Sequence, residues 1–360
     1  MNSIDYRAPW PLNNGFLMTL HAGLLASKNW QSTLAEPEPK FQEKIFTGAN
    51  EVPIFGLVAI PPHPIGTIVG TYGITGDLED QWFLRIMARK AYAKGYAVVI
   101  FDWRAHGQTA KLSPTLTSDG LYEGEDFVRI AAEAKAMGCP APIWFTAFSL
   151  GGLLALWGVK FAQELPDWGA HLNIDEADIA GAMVICPALE SLRSLTYLMQ
   201  APLGKYLEKA ITRKLKQLLS DLQAYHPQAF DPEIAARVSS IWSFDHEMVI
   251  SRLGFKSVGD YYNATSGLYI LPELKKPTLI LYAADDPLFD PALVADVEAV
   301  CSANPAITLM LTQQGGHVGY ISSAACQREF GDRDRWWAWN RALSWCSQSG
   351  IVRQSGSHST

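Results

Sequence analysis

The run Ile143-Trp144-Phe145-Thr146-Ala147-Phe148-Ser149-Leu150-Gly151-Gly152 constrains this chain more than any other. A short apolar stretch with strand character ends at a serine between small residues. An apolar helical pattern over 153–161 follows without a loop. A serine at so sharp a strand-to-helix turn is lifted above the sheet with its hydroxyl exposed, as in a nucleophile elbow. Crowding there demands small residues two positions before and two after the serine, and Ala147 and Gly151 meet that demand. Gly152 lets the helix lie close to the strand. The helix N-terminus aims partial positive charge at the site, which favours a developing oxyanion. Such turns also arise by chance, so the meaning of Ser149 depends on its partners.

Two partners follow in the chain. A Leu-rich, β-branched strand at 278–282 ends in Asp285-Asp286-Pro287, where a carboxylate at a strand end could orient a base. Asp286, directly before the proline, is the expected acid and Asp285 the fallback. An Asp-Asp-Pro run can also be a plain turn, since Asp favours turn starts; the upstream serine tips the balance towards chemistry. Farther on, Gly315-Gly316-His317-Val318-Gly319 follows the last expected strand. A lone histidine is more often structural, but three glycines around it imply unusual backbone angles and close approach. The order Ser149, Asp286, His317 is that of the α/β-hydrolase fold, unlike the chymotrypsin or subtilisin orders. The expected roles are Ser149 as nucleophile, His317 as general base and Asp286 as the group that holds the imidazole. One oxyanion donor is expected at the Leu150 N–H. The second is expected at Ile74, in the loop 72–77 after an early strand at 67–71. Asp77 and Asp80 in and beside that loop read as surface or helix-start acids.

These motifs, taken in order, resemble the YheT-like branch of the α/β-hydrolases, which includes plant embryogenesis-associated proteins and some animal lipases. The resemblance runs from about Tyr6 to about Trp345. It is carried by 6–19 (YRAPWPLNNGFLMT), 101–107 (FDWRAHG), Phe244-Asp245-His246, 254–262 (GFKSVGDYY) and the histidine loop. It implies hydrolysis of carboxylic or lipid esters without fixing the substrate. The chain departs from the branch at Phe16 (usually His), Met18 (usually Gln), Tyr72 (usually His) and Ala147 (usually Gly). None of these touches the three expected catalytic residues. Tyr72 lies where it bears on the oxyanion loop.

A length of 360 residues with 48% hydrophobic content and a net charge of −7 describes a globular chain able to bury a large core. The short basic run Arg213-Lys214-Leu215-Lys216 reads as a solvated helix face, not a nucleic-acid footprint. Five dispersed cysteines (139, 186, 301, 326, 346) show no metal-ligand spacing and suit a reducing compartment. No metal or cofactor is expected. Gly15 to Ala26 is apolar but too short for a membrane span, so neither a signal peptide nor an integral membrane segment is expected. A cytoplasmic location follows as the expectation.

Alternating strand and helix patterns predict a mostly parallel sheet flanked by helices. Strands are expected at 44–46, 53–60, 67–71, 97–101, 143–148, 180–185, 278–282 and 307–311, the first two as an antiparallel edge. Helices are expected at 81–94, 125–137, 150–163, 291–302 and 333–346. Glu123, Glu125 and Asp126 suit a helix start. From 189 to 271 the alternation stops, and helical periodicity with many aromatics implies an inserted helical cap over the site. Each cap aromatic is more readily explained by the cap's own core than by substrate contact. The division is therefore a hydrolase core at 1–188 and 272–346, a cap at 189–271 and a disordered tail at 347–360.

The leading expectation is a serine hydrolase of small-molecule or lipid esters. An acyltransferase or thioesterase would use the same residues. A catalytically silent hydrolase-fold binding protein is the alternative from another class; Tyr72 slightly favours it and the three intact residues weigh against it.

Overall fold

The protein, seen in a computed structural model, is described over residues 5–356, with side chains up to Ser349. Eight strands form one sheet: β1 (Gln42–Thr47), β2 (Pro53–Ala59), β3 (Thr67–Gly70), β4 (Ala97–Phe101), β5 (Ile143–Phe148), β6 (Ile179–Ile185), β7 (Thr278–Ala283) and β8 (Ile307–Thr312). Their order is β1-β2-β4-β3-β5-β6-β7-β8. β2 pairs antiparallel with β1 and with β4, and every later pairing is parallel. The expected strands thus all form, each within two residues of its expected ends. β3 to β7 are buried along their whole length. Helices cover both faces of a parallel sheet, which explains why these strands read as continuous apolar runs without alternation. The outermost β1 instead leaves most of its residues exposed.

Parallel strands end at the same edge of a sheet. The carboxyl ends of β3, β5, β7 and β8 therefore bring the loops at Tyr72, Ser149, Asp286 and His317 together. The order reverses between β3 and β5, the kind of switch point where open α/β sheets bind ligands. The helix Leu150–Gln163 starts directly after Ser149, as expected.

The Glu123–Ala136 helix begins with acids that do more than favour the helix dipole. Asp126 accepts two bonds from Arg104, at 2.7 and 2.8 Å, and one from the Ala49 N–H at 2.7 Å. Both side chains of this pair are 1% exposed. Removing one partner of such a buried pair typically costs about 3–5 kcal/mol. Glu123 is buried and accepts from the Ser118 N–H and hydroxyl and from the Gly120 N–H.

Between β6 and β7 lie only helical elements, the longest being Pro202–Tyr225. Leu215, Leu219, Leu222, Val238, Met248 and Val249 form a second hydrophobic cluster there, separate from the sheet's core. Phe230, Phe244, Tyr261 and Tyr262 belong to it, whereas Tyr206 and Tyr225 are exposed. Near the end of this region, Leu268, Ile270 and Leu271 pack into the sheet's core cluster instead. Two departures from expectation stand at the termini. A helix at Gly15–His21 occupies the apolar N-terminal stretch. The final helix spans Trp337–Gly356, past the expected end at Cys346 and into the segment expected as a disordered tail. A nucleated helix extends through Ser and Gln at little further cost. Residues 357–360 lie outside the described residues.

Candidate active site

Ser149 has φ 57° and ψ −134°, outside the regions open to most L-residues. Surrounding bonds impose this conformation. The Ser149 N–H donates to Ile185 O on β6 at 3.0 Å, and Ser149 O accepts from Gly152 and Ala188 at 2.9 and 3.1 Å. Position 151 must be glycine, because a Cβ there would lie 2.2 Å from Tyr72 O. The turn is therefore as tight as the sequence implied.

His317 Nε2 lies 2.8 Å from Ser149 Oγ, and its Nδ1 lies 2.7 Å from Asp286 Oδ2. A carboxylate accepts, so Nδ1 carries the proton and Nε2 is left to accept from the serine hydroxyl. Asp286 is held by the Leu288 N–H, which donates to its Oδ1 at 2.9 Å. Its side chain is 2% exposed and that of His317 11%. Asp285 points elsewhere: its Oδ1 accepts from the Gly316 N–H at 2.9 Å and so braces the histidine loop. Burial pushes the Asp285 carboxyl above its ordinary range.

The histidine loop is strained, with φ of 64° at Val318 and 42° at Tyr320. The N-terminal helix supports it. Thr19 Oγ1 accepts from the His317 N–H at 2.8 Å and donates to Gly15 O at 2.7 Å. Met18 is fully buried, and a Cβ on Gly319 would sit 2.5 Å from its Cγ. Cys186, a buried thiol, lies beside Asp286 and His317. Burial, then the nearby Asp286, pushes it well above the ordinary thiol range.

The loop after β3 passes directly against the serine. A Cβ on Gly73 would lie 2.8 Å from Ser149 Cβ and 3.2 Å from its Oγ. The N–H groups of Ile74 and Leu150 have no acceptor among the described residues. Tyr72 is buried and turned away from the serine; its hydroxyl donates to Asp102 Oδ1 at 2.5 Å. Asp102 also accepts from the N–H of Leu78 and of Gln108. Burial outweighs these bonds and raises its carboxyl to about 6. Asp77, read as a surface or helix-start acid, accepts from the Asp80 N–H in the turn before the helix at Trp82.

Two spaces meet at Ser149. One is a narrow cavity of about 110 Å³, lined by Ile74 and Leu150 and by Leu195, Leu198, Ile211 and Leu215 from the helices between β6 and β7. Asp119 and Asp245 also line it. Burial and the adjacent Glu123 push Asp119 up to about 7; burial and Asp119 push Asp245 up as well. Tyr262 donates to Asp245. The other space is an open cleft of about 770 Å³ that reaches Ser149 and His317 between the N-terminal segment and the helix Pro202–Tyr225. Sequence reasoning missed Thr19, Asp102, His106 and the Asp119–Asp245 pair as parts of this site. The 101–107 motif was visible, but its contact with the loop at 72–76 was not.

A serine, histidine and aspartate in one hydrogen-bonded chain at the carboxyl edge of an eight-stranded α/β sheet define a familiar class. Residues 67–324 match the family model described as alpha/beta hydrolase fold, and the chain belongs to that family. It is 49% identical over 352 residues to "Putative esterase slr0264" of Synechocystis sp., covering 96% of this chain and 95% of that protein. It is 28% identical over 259 residues to "Putative esterase YheT" of Escherichia coli, covering 71% of this chain and 70% of that protein. The resemblance drawn from the motifs thus reappears over most of the chain. Among solved structures, the Pyrococcus furiosus esterase Pf2001 shares the fold at a TM-score of 0.51 and 17% identity, covering 88% of this chain and 92% of that one. No helix among the described residues is long and apolar enough to cross a membrane.

Proposed function

We propose that this protein is a serine hydrolase of carboxylic esters. The observation that carries the reading is the chain from Ser149 Oγ through His317 to Asp286, with bonds of 2.8 and 2.7 Å. Ser149 Oγ attacks the acyl carbon while its proton passes to His317 Nε2. The tetrahedral oxyanion is received by the N–H groups of Leu150 and Ile74. The bond from acyl carbon to alkoxy oxygen then breaks, and His317 returns the proton to the leaving alcohol. Water, its proton taken by His317, attacks the acyl carbon; the bond from that carbon to Ser149 Oγ then breaks, His317 returns the proton to Oγ, and the acid leaves. Asp286 holds the imidazole tautomer throughout and stabilises the imidazolium. Asp285 takes no proton-handling part, because its bond goes to the loop backbone.

The segment 189–271 acts as a cap. The acyl group occupies the narrow apolar cavity beneath it, and the alcohol side faces the open cleft. The relatives' names, both esterases, favour the same substrate class. All five cysteines are buried and free, which suits action in the reducing cytoplasm.

Stopped-flow hydrolysis of p-nitrophenyl esters tests the reading. Wild type gives a burst of one nitrophenolate per protein if acylation outpaces deacylation, and Ser149→Ala abolishes both burst and turnover. Turnover by Ser149→Ala comparable to wild type would remove the serine from the mechanism.

A further inference from the structure

The loop that carries Ile74 is held in a conformation its own sequence does not favour. Thr75 is β-branched yet has φ 62°. Such residues persist in the left-handed region only when their surroundings over-determine them. The surroundings here come from one short segment, 102–106. Tyr72, the first residue of the loop, donates to Asp102 at 2.5 Å. Leu78, after it, donates to the same carboxyl oxygen at 2.9 Å. Between them, the Thr75 N–H donates to His106 Nε2 at 3.0 Å.

The His106 contact has a defined polarity. His106 Nδ1 lies 2.8 Å from Arg104 O, which can only accept, so Nδ1 carries the proton. Nε2 is then bare and can only accept, and the Thr75 N–H fills it. The support is rigid. Arg104 is locked by its two bonds to Asp126 and by a third to Ala49 O at 2.9 Å. The Trp103 ring stacks on the imidazole with centroids 3.8 Å apart.

We propose that His106 is a positioning residue for the oxyanion site: through the Thr75 N–H it fixes the backbone on one side of Ile74, while Tyr72 and Asp102 fix the other. The inference rests on the ester-hydrolase reading above. It also gives Tyr72 a place. A tyrosine long enough to reach Asp102 anchors the loop from within the core and leaves the Ile74 and Leu150 amides to meet the substrate. Burial holds the His106 ring neutral, lowering it to about 4, so Nε2 stays an acceptor at neutral pH.

Two isosteric substitutions separate the ring's two contacts. His106→Asn can still donate to Arg104 O but is too short to receive the Thr75 N–H. His106→Gln reaches the Thr75 position with an amide oxygen. Each variant is compared with wild type in kcat, KM and Ki for an aryl trifluoromethyl ketone, which forms a serine-bound oxyanion. Active-site titration normalises every value to intact sites. A lost oxyanion donor costs roughly 100–1,000-fold in kcat, and a mispositioned one should cost less, about 10–100-fold. His106→Asn should therefore lose about 10–100-fold in kcat with KM nearly unchanged, and Ki should rise by the same factor. His106→Gln should recover most of both. Wild-type kcat and Ki per titrated site in His106→Asn would overturn the proposal, as would a loss confined to the number of titratable sites. A wild-type enzyme that the ketone does not inhibit would instead overturn the hydrolase reading, and the positioning role with it.

Discussion

The two sides of Ser149 are built on different physical principles. On one side stand side chains: His317, bonded to the serine, and Asp286, bonded to His317, both largely buried. On the other stands backbone. The Ile74 and Leu150 amides carry no ionisable group; the loop that carries Ile74 is held by Tyr72, Asp102 and His106, and the turn before Leu150 by backbone bonds to Ile185 and Ala188. The first side fails when one group is deleted. The second fails by degrees, because several anchors share the work. Damage on the base side should therefore be large and sensitive to identity, and damage on the oxyanion side smaller and open to rescue.

The largest expected effects fall on the base side. Ser149→Ala and His317→Ala should each lower kcat by roughly 10⁴-fold or more with the fold intact, checked by ester turnover beside circular dichroism. Asp286→Asn should cost roughly 10³–10⁴-fold, because the amide favours the wrong imidazole tautomer. Asp285→Asn keeps an acceptor for the Gly316 N–H and should cost no more than about tenfold. Similar losses in the two variants would erase the distinction between acid and brace. Opposite Ile74, Tyr72→Phe removes one of the loop's anchors and should lower kcat by about tenfold with KM little changed. A loss as deep as that of His317→Ala would show that the two sides do not differ in kind.

Two smaller effects appear in stability against pH. Asp119 has its carboxyl raised from 3.8 to about 7, so the folded protein keeps a proton there that the unfolded chain releases. Ionising it costs stability as pH rises from about 4 to 7. Asp119→Asn should accordingly raise Tm at pH 8 and lose that advantage below pH 4. A Tm difference that does not change with pH would contradict the buried-carboxyl assignment. His106 has the opposite sign. Its ring is lowered from 6.5 to about 4, so between those values the unfolded chain binds a proton that the folded one refuses, and stability falls with pH. His106→Gln should therefore lose less Tm than wild type between pH 7 and 4.5.

The same contrast marks what could be read from the sequence. Ser149 was legible because its requirements are local: small residues at 147 and 151, a strand before and a helix after. The sheet was legible because two-sided burial turns its strands into unbroken apolar runs. Asp286 and His317 were legible through their place at strand ends and the glycines beside the histidine. The braces were not, because they join residues far apart in the chain. Thr19 holds His317 from 298 residues away, and His106 holds Thr75 from 31. No spacing or period records such pairs. The region between β6 and β7 was legible as helical but not in detail, since short helices and the π-turn at Asp245–Val249 break the 3.6-residue period. Composition alone did not show that the helix entering from Trp337 reaches Gly356, inside the segment read as a tail.

The central claim is that Ser149 is an activated nucleophile. The most direct measurement is intact-mass and peptide-level analysis of the protein after reaction with a fluorophosphonate. One adduct per chain on the peptide containing Ser149, absent in Ser149→Ala and strongly slowed in His317→Ala, is the expected result. A well-folded protein that takes up no phosphonate, or takes it up equally when Ser149 is alanine, would contradict the claim.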